Sequence, residues 1–78
     1  MRLVLVTRKG CHLCDQALEL LRELGHEPEL ADVDADDGLH DLYDWRVPVV
    51  LVDGKVIAEG QVDRGALQRA LNEAGPSP

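Results

Sequence analysis

The chain has 78 residues, 45% of them hydrophobic, and carries 15 acids against 8 Lys and Arg for a net charge of −7. That length allows one domain with a small aliphatic core, since a chain of this size buries only roughly 60% of its unfolded surface, and the hydrophobic fraction excludes a disordered chain. The acidic balance argues against nucleic acid or an anionic membrane as partner, because phosphates reward clustered cations, and no apolar run approaches the ~20 residues that span a bilayer.

Residues 2–7 (RLVLVT) are short, apolar and β-branched and predict a buried first strand. Their apolar run is too short for a leader peptide, and no small-residue cleavage site follows, so the chain reads as cytoplasmic. Arg8-Lys9-Gly10 predicts a turn. From Cys11 onward the period lengthens. Leu13, Ala17, Leu21 and Leu24 share one face of a helix over residues 12–24, with Leu18 and Leu20 beside it. Gly25 supplies a left-handed stop. Residues 27–33 (EPELADV) predict a second strand marked by Leu30 and Val33, with Pro28 near an edge or at the strand's start. Residues 34–38 form a polar break, and residues 39–45 a short helix. Residues 48–52 (PVVLV) predict a strand, Asp53-Gly54 a hairpin turn, and residues 55–59 the returning strand. Gly60 breaks it. Asp63 caps a final helix with Leu67, Ala70, Leu71 and Ala74 on one side, and residues 75–78 form a frayed tail.

The order is β-α-β-α-β-β-α over a single domain, residues 1–78. The first βαβ unit implies parallel strands joined by a right-handed crossover. The last two strands form an antiparallel hairpin. Together they predict a mixed four-stranded sheet flanked by helices.

Cys11 and Cys14 are the only cysteines. A loop this short does little to restrain the unfolded chain, and a secreted disulfide scaffold would carry several spread cysteines. The pair lies where a strand ends and a helix begins, a position that favours redox chemistry. Unpaired N–H groups of the helix's first turn and the helix dipole stabilise a thiolate at Cys11. Cys14 falls on the same face, at a Cα separation near ~5.5 Å that suits a disulfide. Cys11, at the turn, is the expected attacker, and Cys14, facing the packed side, the resolving thiol. Arg8 and Lys9 favour the thiolate and Asp15 opposes it, with a net lowering of the Cys11 pKa expected. His12, adjacent to Cys11, reads as a solvated imidazole that tunes the site.

The chain resembles a glutaredoxin, a branch of the thioredoxin superfamily, over residues 2–74. The resemblance rests on C-H-L-C at 11–14, R-V-P-V at 46–49 and G-Q-V-D at 60–63, where glutaredoxins usually carry C-P-Y-C, T-V-P and G-G-x-x-D. It implies a disulfide reductase of the thioredoxin-like fold with no bound cofactor. It also implies a cis peptide between Val47 and Pro48, and a Val47 backbone that pairs with an extended thiol substrate. The substrate groove would be bordered by Lys9, His12, Arg46, Val47, Pro48, Gly60 and Asp63. The implied substrate is a disulfide-bearing protein or a low-molecular-weight thiol. Glutathione is a candidate co-substrate, and glutathione or a thioredoxin reductase the electron donor. Nothing demands more than a monomer. Leu13 replaces the usual Tyr and His12 the usual Pro, and Glu59 stands where a glycine is common and can repel an anionic tripeptide. Against that, Arg8, Lys9 and Arg46 gather near the site.

Other readings fit less well. Residues 32–43 fail as a calcium loop, because Asp37 stands where Gly is required and Tyr43 where a bidentate Glu is required. Zinc held by Cys11, Cys14 and His12, His26 or His40 lacks the usual second pair of ligands. An iron–sulfur cluster shared between chains and a redox-inactive adaptor are the remaining alternatives. Trp45 and Tyr43, single aromatics in a small domain, are expected to be packing residues, and Trp45, just ahead of Arg46-Val47-Pro48, is expected to lie near the cysteine pair.

Overall fold

The computed structural model describes residues 2–74. The elements follow the expected order: β1 (Leu3–Thr7), α1 (His12–Glu23), β2 (Glu29–Asp32), α2 (Asp37–Tyr43), β3 (Val49–Val52), β4 (Lys55–Glu59) and α3 (Arg64–Ala74). The strands form one mixed sheet in the order β2-β1-β3-β4. β1 runs parallel to β2 across the α1 crossover and antiparallel to β3, and β3 runs antiparallel to β4.

Alternation along the strands divides the core in two. Leu3 and Leu5 of β1 and Val50 and Val52 of β3 face Ala17 and Leu21 of α1 and Leu67 and Leu71 of α3. On the opposite face Val6 and Val49 meet Val33, with Leu39 and Tyr43 of α2 packed against them. Two helices cover the first face and only the short α2 covers the second. Each buried Leu or Val contributes roughly 1.5–3 kcal/mol, so a core built almost entirely from aliphatic side chains holds the sheet without a single Phe.

Local chemistry sets the element ends. The Gly25 N–H donates to the Arg22 carbonyl at 3.0 Å and the His26 N–H to the Leu21 carbonyl at 2.8 Å. This paired closure needs the left-handed Gly25, at φ 88°. Asp53 and Gly54 both take positive φ, 51° and 84°, the pair of values a two-residue hairpin turn demands.

The structure departs from sequence expectation at five places. α2 begins at Asp37 rather than 39, because the Asp36 carboxylate accepts the Leu39 N–H at 3.0 Å and caps the helix from within the expected polar break. β2 is trimmed to Glu29–Asp32, and its Leu30 marker is exposed because β2 is an edge strand. Val33 lies just past β2 yet is fully buried, its N–H bonded to the Thr7 carbonyl. Leu13 is 37% exposed and Cys14, at 2%, takes the buried place on α1. Trp45 does not pack: its side chain is 91% exposed. The expected frayed tail at residues 75–78 lies outside the described residues.

Leu21→Ala should destabilise the fold by about 2–5 kcal/mol through lost burial and a residual cavity. Leu42→Ala, at a site 60% exposed, should cost no more than about 0.5 kcal/mol. Denaturant midpoints at unchanged slope check both, and equal losses would contradict the assignment of the core.

Candidate functional site

Cys11 is the N-cap of α1, in extended backbone at φ −92° and ψ 109°. The Cys14 N–H donates to Cys11 Sγ at 3.1 Å. The Cys11 N–H in turn donates to the Arg8 carbonyl at 3.2 Å, which closes the turn leaving β1. A cap position normally held by a Ser or Asp oxygen is thus filled by sulfur. The two cysteines form a disulfide with Cα atoms 5.2 Å apart. They are unequal in exposure: Cys11 is half-buried at the helix tip, while Cys14 is buried against the core. Reagents reach the pair from the Cys11 side.

A second segment approaches the same end of β1. The Val47–Pro48 peptide is cis, as the sequence resemblance implies. The register that pairs Val6 with Val49 sets Pro48 beside Thr7, just ahead of the Arg8-Lys9-Gly10 turn. The Gly60 N–H donates to the Pro48 carbonyl at 2.8 Å and ties the end of β4 to this segment. Lys9 and His12 are exposed on the turn and first helical position. Asp63 lies beyond Gly60, and its carboxylate accepts the Ala66 N–H at 3.0 Å, so it caps α3. Strand pairing therefore brings Pro48 and Gly60, remote in sequence from the cysteines, to the end of β1 from which the Cys11 turn departs.

The two arginines near the pair are not free charges. Arg8 donates from Nε and Nη2 to the Asp34 carboxylate, both at 2.9 Å, and reaches the Asp44 carbonyl at 3.1 Å and its carboxylate. These carboxylates hold Arg8 protonated even more firmly than usual, yet they compensate its charge. The contribution of Arg8 to a Cys11 thiolate is correspondingly smaller than the sequence alone implies. Arg8 instead clips the Cys11 turn to the loops on either side of α2. Arg46 pairs with Glu59 at 2.6 Å, bonds the Leu42 carbonyl at 3.4 Å and lies 5.2 Å from the centre of the Tyr43 ring. An arginine just ahead of the cysteine pair in an acidic chain signals some partner, but Asp34 and Asp44 are chosen only by tertiary contact.

Sequence reasoning also misses a cleft. A space of about 360 Å³ runs from Lys9 and Gly10 past Cys14 and Asp15 to Leu18 and Leu30. Its apolar floor exists because Leu30 sits on an edge strand with no neighbour beyond it.

The Arg8 hydrogen bonds hold the Asp34 carboxyl below its ordinary range. A depressed carboxylate adds stability above its unfolded-state value near ~3.9, and that stability is lost as pH falls through the lower folded-state value. Asp34→Asn should therefore flatten the stability-versus-pH curve below about pH 4, read by chemical denaturation at a series of pH values. A slope unchanged from wild type would rule out the Arg8–Asp34 contribution.

Comparison with known proteins agrees with this geometry. A family model described as a glutaredoxin-like domain (DUF836) matches residues 2–72. The uncharacterized protein Rv0508 of Mycobacterium tuberculosis is 37% identical over 73 residues, covering 82% of this chain and 75% of its own. The X-ray structure of protein XcR50 from X. campestris superposes with a TM-score of 0.77 at 36% identity, covering 95% of this chain and 99% of that one. The crystal structure of the thioredoxin-like protein BC3987 gives a TM-score of 0.71 at 29% identity, covering 90% of this chain and 100% of that one. A thioredoxin-like fold, a Cys-X-X-Cys pair at the first helix's N-cap and a family match across nearly the whole length lead to one conclusion: the chain belongs to the glutaredoxin-like domain family.

Proposed function

We propose that the protein is a thiol–disulfide oxidoreductase that works by a dithiol route, with Cys11 as nucleophile and Cys14 as resolving thiol. The observation that carries this reading is the Cys14 N–H donated to Cys11 Sγ at the helix N-cap. A donor aimed at sulfur, with the positive end of the helix behind it, favours the thiolate over the thiol. The burial of Cys14 beside an accessible Cys11 supports the division of roles.

In the reduced protein the Cys11 thiolate attacks one sulfur of a substrate disulfide. A Cys11–substrate disulfide forms, and the first substrate sulfur leaves as a thiolate that takes a proton from water. Cys14, once deprotonated, attacks Cys11 Sγ. The Cys11–Cys14 disulfide forms, and the second substrate thiol is released. Two electrons pass from the dithiol to the substrate, and glutathione or a thioredoxin reductase returns them. Lys9, His12, Arg46, Val47, Pro48, Gly60 and Asp63 border the groove in which the substrate lies. The Val47 backbone offers hydrogen bonds to an extended chain in the manner of an added strand. The substrate is a disulfide-bearing protein or a low-molecular-weight mixed disulfide. The protein acts as a monomer in the cytoplasm, where thiols are kept reduced.

Cys11→Ser should abolish reduction of a protein disulfide, whichever of the two donors is supplied. Cys14→Ser should stall with substrate covalently bound at Cys11, visible as an adduct by intact-mass measurement. Retained turnover in Cys14→Ser with glutathione would replace the dithiol route by a one-thiol route. No turnover by wild type with either donor would favour an adaptor. In the reduced protein, Cys11 should titrate below the free-cysteine value of about 8.5, followed by thiolate ultraviolet absorbance; a midpoint at or above that value would contradict the role assigned to the cap.

A further inference from the structure

We infer that the site selects its substrate by charge, taking disulfides flanked by basic residues on a partner protein and disfavouring anionic thiol compounds, with Glu59 as a specificity-determining residue. The inference rests on the disulfide-exchange reading above. It begins from the balance of charge around the pair. The segments that adjoin the C-terminal end of β1 carry three cations, Arg8, Lys9 and Arg46, and five carboxylates, Asp15, Asp34, Asp44, Glu59 and Asp63. Arg8 is shared between Asp34 and Asp44, and Arg46 is taken by Glu59. Of the three, only Lys9 has no carboxylate within 4.0 Å among the described residues. Asp15 is exposed one turn into α1 from Cys11.

Glu59 occupies the position that matters. It ends β4 opposite Val49, and the next residue, Gly60, bonds the Pro48 carbonyl. The Arg46–Glu59 pair therefore stands at one end of the Val47–Pro48 wall. An anionic substrate that approaches Arg46 must displace Glu59, which leaves one carboxylate uncompensated for each one it satisfies. A basic substrate meets Asp15 and Asp63, neither of which is paired with a cation within 4.0 Å among the described residues, with no displacement. Arg46 is also held by the Leu42 carbonyl and by the Tyr43 ring, so it does not swing freely to an incoming anion. Beside it, Trp45 presents an indole that is 91% exposed. An indole face suits the cationic head and apolar stem of a Lys or Arg. Leu13, 37% exposed between the two cysteines, adds an apolar contact that a compact polar tripeptide cannot use and a protein surface can.

The test is single-turnover reduction by the pre-reduced protein, whose Cys11–Cys14 dithiol supplies both electrons, of three small disulfides alike in size. They are cystamine (cationic), hydroxyethyl disulfide (neutral) and dithiodipropionate (anionic). Each rate is divided by that of free dithiothreitol on the same disulfide, which removes intrinsic reactivity. The normalised rates should fall in the order cationic, neutral, anionic, and the spread should shrink with added salt. Glu59→Gln should raise the anionic-to-cationic ratio about three- to fivefold, the scale of one exposed charge interaction. Glu73→Gln, which removes the same charge at the far end of α3, should not. A flat or reversed order in wild type, or equal effects of the two variants, overturns charge selection and leaves disulfide exchange standing. Failure to reduce any of the three by protein with two titratable thiols overturns the exchange reading itself.

Discussion

Everything at the site depends on the central place of β1 in the sheet. β1 pairs parallel with β2 on one side and antiparallel with β3 on the other. Its C-terminal end is consequently where three chain segments meet: the start of α1, the end of β2 and the entry to β3. Both faces of β1 are packed, with Leu5 and Val6 fully buried on opposite sides, so this meeting point cannot shift without opening the core. Cys11 takes its position from that geometry. It follows β1 by a closed turn and caps α1 with its sulfur, so the first helical N–H groups are aimed at the atom proposed to react.

The electrostatics of the site follow from the protein's surplus of acids. In a chain with 15 acids and 8 Lys and Arg, arginines near a functional centre find carboxylates within the fold before they meet a ligand. Arg8 and Arg46 both do so. Their pairs are partly exposed and contribute little to stability individually. Their structural effect is larger, because each joins segments far apart in sequence: Arg8 links the cysteine turn to Asp34 and Asp44, and Arg46 links the α2–β3 loop to the end of β4. The loops that frame the disulfide are thus held by charge where apolar packing is thin, since α2 contributes no fully buried residue.

Much of the fold is legible in the sequence, because local physics agrees with the global answer at most positions. The apolar run in β1 and the Asp53-Gly54 turn each have one sensible reading. So do the Gly25 stop and the Asp63 cap. The disagreements have physical causes. Asp36 caps α2, but it sits in a run of acids any of which is a competent cap. Leu13 looks like a core residue by helical spacing, but α1 turns Cys14, not Leu13, into the buried place beside Ala17 and Leu21. Leu30 satisfies strand alternation, yet an edge strand leaves it half open to solvent. Trp45 is a large aromatic in a small domain and still points into water, on a loop whose backbone is held by Arg8 through its neighbour Asp44.

The sequence by itself determined the order of elements, the turn chemistry and the presence of a Cys-X-X-Cys pair at a strand-to-helix junction. These are properties of near neighbours along the chain, where periodicity, caps and backbone freedom are read directly. Only the tertiary structure decided which carboxylates hold Arg8 and Arg46, that Glu59 stands beside the Pro48 segment, and that a cleft opens beside Cys14 at the β2 edge. Those depend on strand order and register, which bring residues dozens of positions apart to one end of the sheet, and no spacing within a single segment encodes them.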